Sequence, residues 1–264
     1  MHPAAQPATV VGAIPARYGS SRLPGKPLLT IAGRPLIEHV YRRAARAGGL
    51  ARVVVLTDDV RVAAAVEGFG GEWMMTPADC ASGTDRIAWA AREWPDAAAV
   101  VNIQGDEPLI DPALIGRLAG HLASHPEDPV VTFAAPATAD DLANPNAVKT
   151  VLDRRGYALY FSRAAIPYPR RPVGDRGGGG AVPLKHLGLY GYQRRALLAL
   201  AALAPSPLET SEALEQLWAL ENGILIRVLL TDAASLGVDT GDDLARVAAL
   251  LDSEQEGGGA PLPP

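Results

Sequence analysis

Short apolar runs alternate with amphipathic segments through the first half of this chain, and that alternation restricts its fold more than any other feature. Val10–Ile14 reads as a buried strand. The stretch RPLIEHVYRRAARAGG then puts Leu36, Val40, Ala44 and Ala47 on one helical face, with arginines opposite and Gly48 as a stop. RVVVLTDD is a second strand, followed by a helix over Val60–Glu67 and a short strand over Glu72–Met75. SGTDRIAWAAREW opens with Ser82 three residues before Asp85, the pattern of a capped helix start. AAVVNIQ is again a strand, and DPALIGRLAGHLA starts with Asp111 as N-cap and Pro112 at the first helical position. PVVTFAAP is the next strand. Strands that alternate with helices in this way form a mostly parallel sheet covered on both faces.

From Asn146 the rhythm changes. AVKTVLD and YALYFSR read as a hairpin turning through Arg154–Gly156. A loop rich in Pro, Gly and Arg, RRPVGDRGGGGAVP, is expected to be mobile. LKHLGLYGY returns as a strand, and two helices bracket a last strand, GILIRVLL. The expected organisation is one α/β domain over residues 9–252, with an inserted arm at about Asn144–Tyr192. A short flexible tail precedes it over residues 1–8, and a disordered tail follows over 253–264.

The formal net charge is −5, so bulk electrostatics point away from nucleic acid as a partner. Cys80 is the sole cysteine, which excludes an internal disulfide and a cysteine zinc cluster and fits a reducing cytoplasm. No apolar run approaches the ~20 residues that span a membrane, and the first residues lack the pattern of a signal peptide.

YGSSRLPGKPL, after the first strand, has the glycines and lysine of a phosphate cradle without the Walker A spacing. Gly19 and Gly25 enclose five residues, and Lys26 is followed by Pro27 rather than a hydroxyl residue. Arg17, Arg22 and Lys26 still cluster just after a strand, where doubly wound folds bind ligands. Three cations with backbone N–H groups can wrap a triphosphate, although an exposed basic turn would look the same. Asp106 ends an apolar strand in NIQGDEP, and Asp239 precedes a helical pattern in GVDTGDD. Each alone fits a turn or a helix cap; as a pair they could hold a hard divalent cation through oxygen. Ser82–Arg86 could aim backbone N–H groups at an anion or simply cap a helix. His121 and His125, spaced four apart without the glutamate of a zincin, read as solvated.

In order along the chain, IPARYGSSRLPGKPL, SGTDR, VNIQGDEP, NPNAVK, YALYFSR, HLGLYGY, PSPLE with LEQL, and GVDT resemble the 3-deoxy-D-manno-octulosonate (Kdo) cytidylyltransferase family, also called CMP-Kdo synthetases. The likeness runs from about Val10 to Leu251. It implies a Rossmann-like nucleotidyltransferase fold with a β-rich dimerisation arm. It also implies transfer of CMP from CTP to Kdo with Mg²⁺ as cofactor, in a cytoplasmic homodimer that serves lipopolysaccharide synthesis. Carried over residue by residue, Arg17, Arg22 and Lys26 contact the triphosphate. Ser82, Gly83 and Gln104 hold the nucleotide, and Asp106 and Asp239 ligate the metal. Arg163, His186, Tyr190, Glu215 and Gln216 line the sugar-acid site, with Arg163 on the carboxylate. The chain departs from the family pattern at TDAASL, which lacks a Pro-Gly, at Gly241 after VDT, and in the Gly-rich arm. Two rivals remain: a cytidylyltransferase for another sugar acid, of sialic acid or amino-Kdo type, and a non-catalytic nucleotide-binding module. A dinucleotide oxidoreductase is disfavoured because no G-x-G-x-x-G follows the first strand.

Overall fold

A computed structural model of the chain describes residues 8–19, 23–168, 182–204, 206–233, 237–238 and 240–256. Strand β1 (Val10–Pro15) is buried along almost its whole length. After a 3-10 turn at Lys26–Leu28 come a two-residue hairpin, β2 (Thr30–Ile31) and β3 (Arg34–Pro35), and helix α1 (Leu36–Ala45). There follow β4 (Arg52–Thr57), α2 (Val60–Gly68), β5 (Glu72–Met75), α3 (Gly83–Arg92), β6 (Ala99–Asn102), α4 (Pro112–Ser124) and β7 (Val130–Pro136). The second half contains α5 (Ala139–Ala143), β8 (Lys149–Leu152), β9 (Ala158–Ser162), β10 (Leu184–Gln193), α6 (Arg194–Leu200), α7 (Pro207–Glu212), α8 (Gln216–Glu221), β11 (Ile226–Leu230) and α9 (Gly241–Glu256).

The main sheet runs β11-β7-β10-β6-β1-β4-β5, with β8 joined to β10 and β9 to β8. The pairs β1 with β4, β1 with β6, β4 with β5 and β11 with β7 are parallel, while β10 is antiparallel to both β6 and β7. Side chains alternate across the sheet with period two. Val10 and Ile14 enter a core shared with Leu36, Val40, Leu114 and Val247. Val11 and Ala13 enter the opposite core with Ile87, Leu197 and Leu217. Both faces are therefore covered, and burial of each large aliphatic contributes roughly 1.5–3 kcal/mol.

Helix starts follow local chemistry. Asp59, Ser82 and Asp111 each accept a backbone N–H of the first turn of the helix they precede. Helix α1 ends at Ala45, short of Gly48, and Ala47 lies in the turn beyond, bonded from its N–H to Ala44 O. Three departures from the sequence reading matter. Strand β10 is not wholly an arm: Tyr190–Gln193 pair with β6 and Tyr190–Tyr192 with β7, so the chain's last return strand lies inside the central sheet. The final strand is preceded by three short helices rather than one. Helix α9, anchored in the core by Val247 and Leu251, continues to Glu256, past the expected domain end at 252. The N-terminal seven residues, most of the Gly-rich loop and residues 257–264 lie outside the described residues.

His125, at the C-cap of α4, is exposed as the sequence suggests, but His121 is not solvated. His121 Nε2 pairs with Asp128 at 2.7 Å, and Asp128, fully buried, also accepts from Arg227 Nε at 3.0 Å and Tyr157 OH at 2.5 Å. Burial pushes the Asp128 carboxyl up, but these hydrogen bonds together outweigh it and hold the pKa below the ordinary value. The cluster fastens the β8–β9 hairpin to the start of β7 and to β11. No helix among the described residues is long and apolar enough to cross a membrane.

Candidate active site

The parallel strands β1, β5 and β6 end at one edge of the sheet, and the loops after them line a cavity of about 370 Å³. Arg17, Lys26, Ser82, Gly83, Gln104 and Asp106 all line it. The Lys26 loop is closed by Gly25 N–H to Tyr18 O at 3.0 Å. Gly25 takes φ +71°, and a Cβ there would meet the Tyr18 ring at 3.1 Å, so the turn requires glycine. The Arg61 guanidinium stacks 3.4 Å from the Tyr18 ring centroid and is held bidentately by Asp59. The loop is thus buttressed from the start of α2.

Gly105 lets the loop after β6 approach β1: a Cβ on it would lie 2.7 Å from Pro15 O. The next residue, Asp106, places Oδ2 2.6 Å from Lys26 Nζ. The sequence reading gave these two residues separate ligands, and the structure pairs them with each other across eighty positions of chain. Behind them, nearly buried Arg86 donates to Asp58 Oδ2 at 2.9 Å, to Pro77 O at 3.3 Å and to Thr76 Oγ1. Arg86 fixes the loops after β4 and β5 to α3.

A second cavity, about 570 Å³, adjoins the first and shares Gly83, Gln104 and Glu215 with it. Arg163, His186, Tyr190, Glu215 and Gln216 line it. Thr84 Oγ1 donates to Glu215 Oε2 at 2.7 Å. Burial raises the Glu215 pKa, and the hydroxyls of Thr84 and Ser82 work against that. Gln104 Nε2 donates to Gly188 O at 3.1 Å. Tyr190 is buried, which pushes its phenol well above the ordinary value. Its hydroxyl and the Oδ1 of its cross-strand neighbour Asn102 have no hydrogen-bond partner among the described residues.

The Arg163 guanidinium does not stand free. Its Nε donates to Glu212 O at 2.7 Å, Nη1 to Pro145 O at 3.1 Å and Nη2 to Ala213 O at 3.3 Å. Of its five N–H groups, these three are committed to main-chain carbonyls and two are left for a ligand. Lys149, fully buried, completes this wall by donating to Asn144 O, Ala147 O and Arg163 O.

A family profile described as cytidylyltransferase matches residues 11–226. A 3-deoxy-manno-octulosonate cytidylyltransferase from Syntrophotalea carbinolica is 51% identical over 92% of this chain and 98% of its own. The chain belongs to the 3-deoxy-manno-octulosonate cytidylyltransferase family. A relative of the same name from Syntrophobacter fumaroxidans is 52% identical over 94% of this chain and 99% of its own. Among solved structures, CMP:2-keto-3-deoxy-manno-octonic acid synthetase complexed with CTP superimposes with a TM-score of 0.87 at 45% identity, covering 94% of this chain and 100% of that one. As a member of this cytidylyltransferase family the chain is a nucleotidyltransferase with the mostly parallel α/β fold read from its sequence.

Of the site residues expected for such a cytidylyltransferase, Arg22 and Asp239 lie outside the described residues. Val238, the chain neighbour of Asp239, donates its backbone N–H to Asp106 O at 2.9 Å. Sequence reasoning missed Arg86, Thr132, Lys149 and Glu212. Lys149 stood in the quoted NPNAVK block, but a lysine in an alternating strand reads as solvent-facing, and only the fold shows its ammonium turned inward.

Proposed function

We propose that this chain transfers CMP from CTP to Kdo, releasing pyrophosphate. The observation that carries the proposal is the continuity of the two cavities: one lined by Arg17, Lys26 and Asp106, the other by Arg163, His186, Tyr190 and Gln216, with Gln104 and Glu215 shared between them. In this reading Arg17, Arg22 and Lys26 hold the triphosphate, and Ser82, Gly83 and Gln104 hold the nucleoside part. Arg163, His186, Tyr190, Glu215 and Gln216 hold the sugar acid, whose carboxylate takes the two uncommitted N–H groups of Arg163. The anomeric hydroxyl oxygen of Kdo forms a bond to the α-phosphorus of CTP as the bond to pyrophosphate breaks, and the hydroxyl proton is released to solvent. Both substrates are anionic, so the cations of the site must offset their repulsion before that bond can form.

Asp106 suits a hard cation: its carboxylate lies in the cavity, and oxygen is the ligand Mg²⁺ takes. Asp106 and Asp239 would hold the ion, and the Val238–Asp106 backbone bond supports drawing the two segments together. Bound there, Mg²⁺ would neutralise phosphate oxygens and polarise the phosphorus under attack. Lys26, now paired with Asp106, would then turn to the phosphates. Leu159, Tyr168 and Val182 of the arm region are exposed apolar side chains, which supports a homodimer closed through that region. A cytoplasmic role in lipopolysaccharide synthesis belongs to the same reading.

The test is pyrophosphate release from CTP with Kdo, repeated with UTP, with sialic acid and amino-Kdo, and with EDTA. Release that needs CTP, Kdo and metal is expected. Faster turnover of another sugar acid would reassign the acceptor, and no release with any pair would leave a nucleotide-binding module.

A further inference from the structure

Strand β10 carries a bulge where it passes β7. Leu187 faces Phe133 and Tyr190 faces Thr132, so Gly188 and Leu189 are extra on β10. Thr132, fully buried, sits at the foot of this bulge. Its Oγ1 lies 3.1 Å from Leu187 O, 2.9 Å from Leu189 O and 3.0 Å from His186 Nε2. A hydroxyl has one proton and two lone pairs. Given to His186, that proton would leave two carbonyl oxygens facing a buried hydroxyl oxygen with no hydrogen between them. Given to a carbonyl, it leaves the hydroxyl oxygen to accept from Nε2–H. The second arrangement leaves only one carbonyl without that hydrogen instead of two and is therefore favoured, and it puts the His186 proton on Nε2. The other ring nitrogen, Nδ1, then carries a lone pair.

We propose that Thr132 is a positioning residue that locks His186 as the neutral Nε2–H tautomer, so that Nδ1 accepts a hydrogen bond from a hydroxyl of the sugar-acid acceptor. The proposal rests on reading the second cavity as the acceptor pocket. His186 lines that cavity, and Nδ1 has no hydrogen-bond partner among the described residues. The ring packs among aromatic neighbours, with Phe161 in a T-shaped contact at 5.1 Å between centroids and Tyr190 tilted at 5.2 Å. Burial accordingly lowers its pKa to about 3. His186 therefore reads a hydroxyl and leaves the acceptor's carboxylate to Arg163. The bulge serves both cavities, since Gly188 O also receives the Gln104 amide.

The test uses the full chain labelled with ¹⁵N-histidine, as wild type, Thr132→Val and Thr132→Ser, with His186→Gln to assign the resonance. At pH 7 wild type should show His186 protonated on Nε2 alone. Thr132→Val should shift it to a tautomer mixture and raise KM for Kdo about 10-fold, the worth of one hydrogen bond, with KM for CTP within about twofold. Thr132→Ser should restore both. A proton on Nδ1 or a cationic ring in wild type overturns the proposal, as does an unchanged tautomer in the valine variant or a failed rescue by serine. If the valine variant does not fold, the wild-type spectrum still decides the tautomer. An absence of pyrophosphate release in wild type would remove the catalytic reading, and the spectrum would then judge the Thr132–His186 lock alone.

Discussion

Lys149→Met removes a charge while nearly keeping the volume. Lys149 Nζ donates to Asn144 O at 3.0 Å, Ala147 O at 2.6 Å and Arg163 O at 2.5 Å, which commits all three ammonium protons. Asn144 is exposed, so water can take over its carbonyl. Ala147 is buried and Arg163 half-buried, and their carbonyls would lose a donor where water enters poorly. Each such orphan costs ~1–3 kcal/mol. Loss of the buried ammonium offsets part of this, because the wild type bears the desolvation of that charge. The net expectation is about 2–4 kcal/mol, or a fall in Tm of roughly 4–16 °C at 2–4 °C per kcal/mol. The catalytic consequence is directional. Asn146, Ala147, Val148 and Arg163 form one wall of the second cavity and none of the first, so loosening that wall should raise KM for Kdo about 10-fold and spare CTP. Urea melts and steady-state kinetics well below Tm measure both effects. A variant as stable as its parent, or parallel rises in the two KM values, would refute the claim that this ammonium organises the acceptor wall.

Asp106→Ala should lower kcat by ~10²–10³ or more with the fold retained, since its carboxylate is part-exposed; near-normal turnover at low magnesium would remove it from the metal site. Lys26→Ala should weaken use of CTP far more than binding of Kdo, and equal losses in KM would make the loop structural. Glu215→Gln should be more stable than wild type at pH 7 and catalytically impaired. A folded-state pKa raised by burial gives stability that is full below the unfolded glutamate value of about 4.3 and lost as pH rises through the folded value. The stability gap between variant and wild type should therefore close as pH falls to about 4, and a gap that widens on acidification would show that the carboxylate is stabilising as a charge.

The parts of the fold legible in the chain are those written locally. Strand β1 and its neighbours β4 and β6 are apolar runs, and the caps at Asp59, Ser82 and Asp111 sit where backbone N–H groups two or three residues on need an acceptor. The position of β10 is not local. A run of alternating residues says that a strand exists, not that it will slide antiparallel between β6 and β7, because pairing is decided by which edge remains open once the parallel strands have formed. The same limit hid α5. Thr138 and Asp141 make a full capping box, but five residues without a buried face produce no helical periodicity.

The site divides along the same line. Glycine and cation spacing made the loop around Lys26 readable, because a turn that needs φ > 0 and a local charge cluster are both properties of a short segment. Nothing local shows that Lys26 would meet Asp106, or that the sheet would bring Thr132 beneath the β10 bulge. Those meetings depend on register, and one residue of slip would face Thr132 to the opposite core. The groups proposed to contact substrate were therefore open to recognition by motif, whereas Thr132, Lys149 and Arg86, which pack behind them, look in sequence like an ordinary strand threonine and two surface cations. Each is nearly or fully buried and bonded to carbonyls, hydroxyls or a carboxylate of other segments. Buried polar groups must find partners to be tolerated at all. The pairing that makes these residues affordable inside the protein is also what makes the pocket walls rigid.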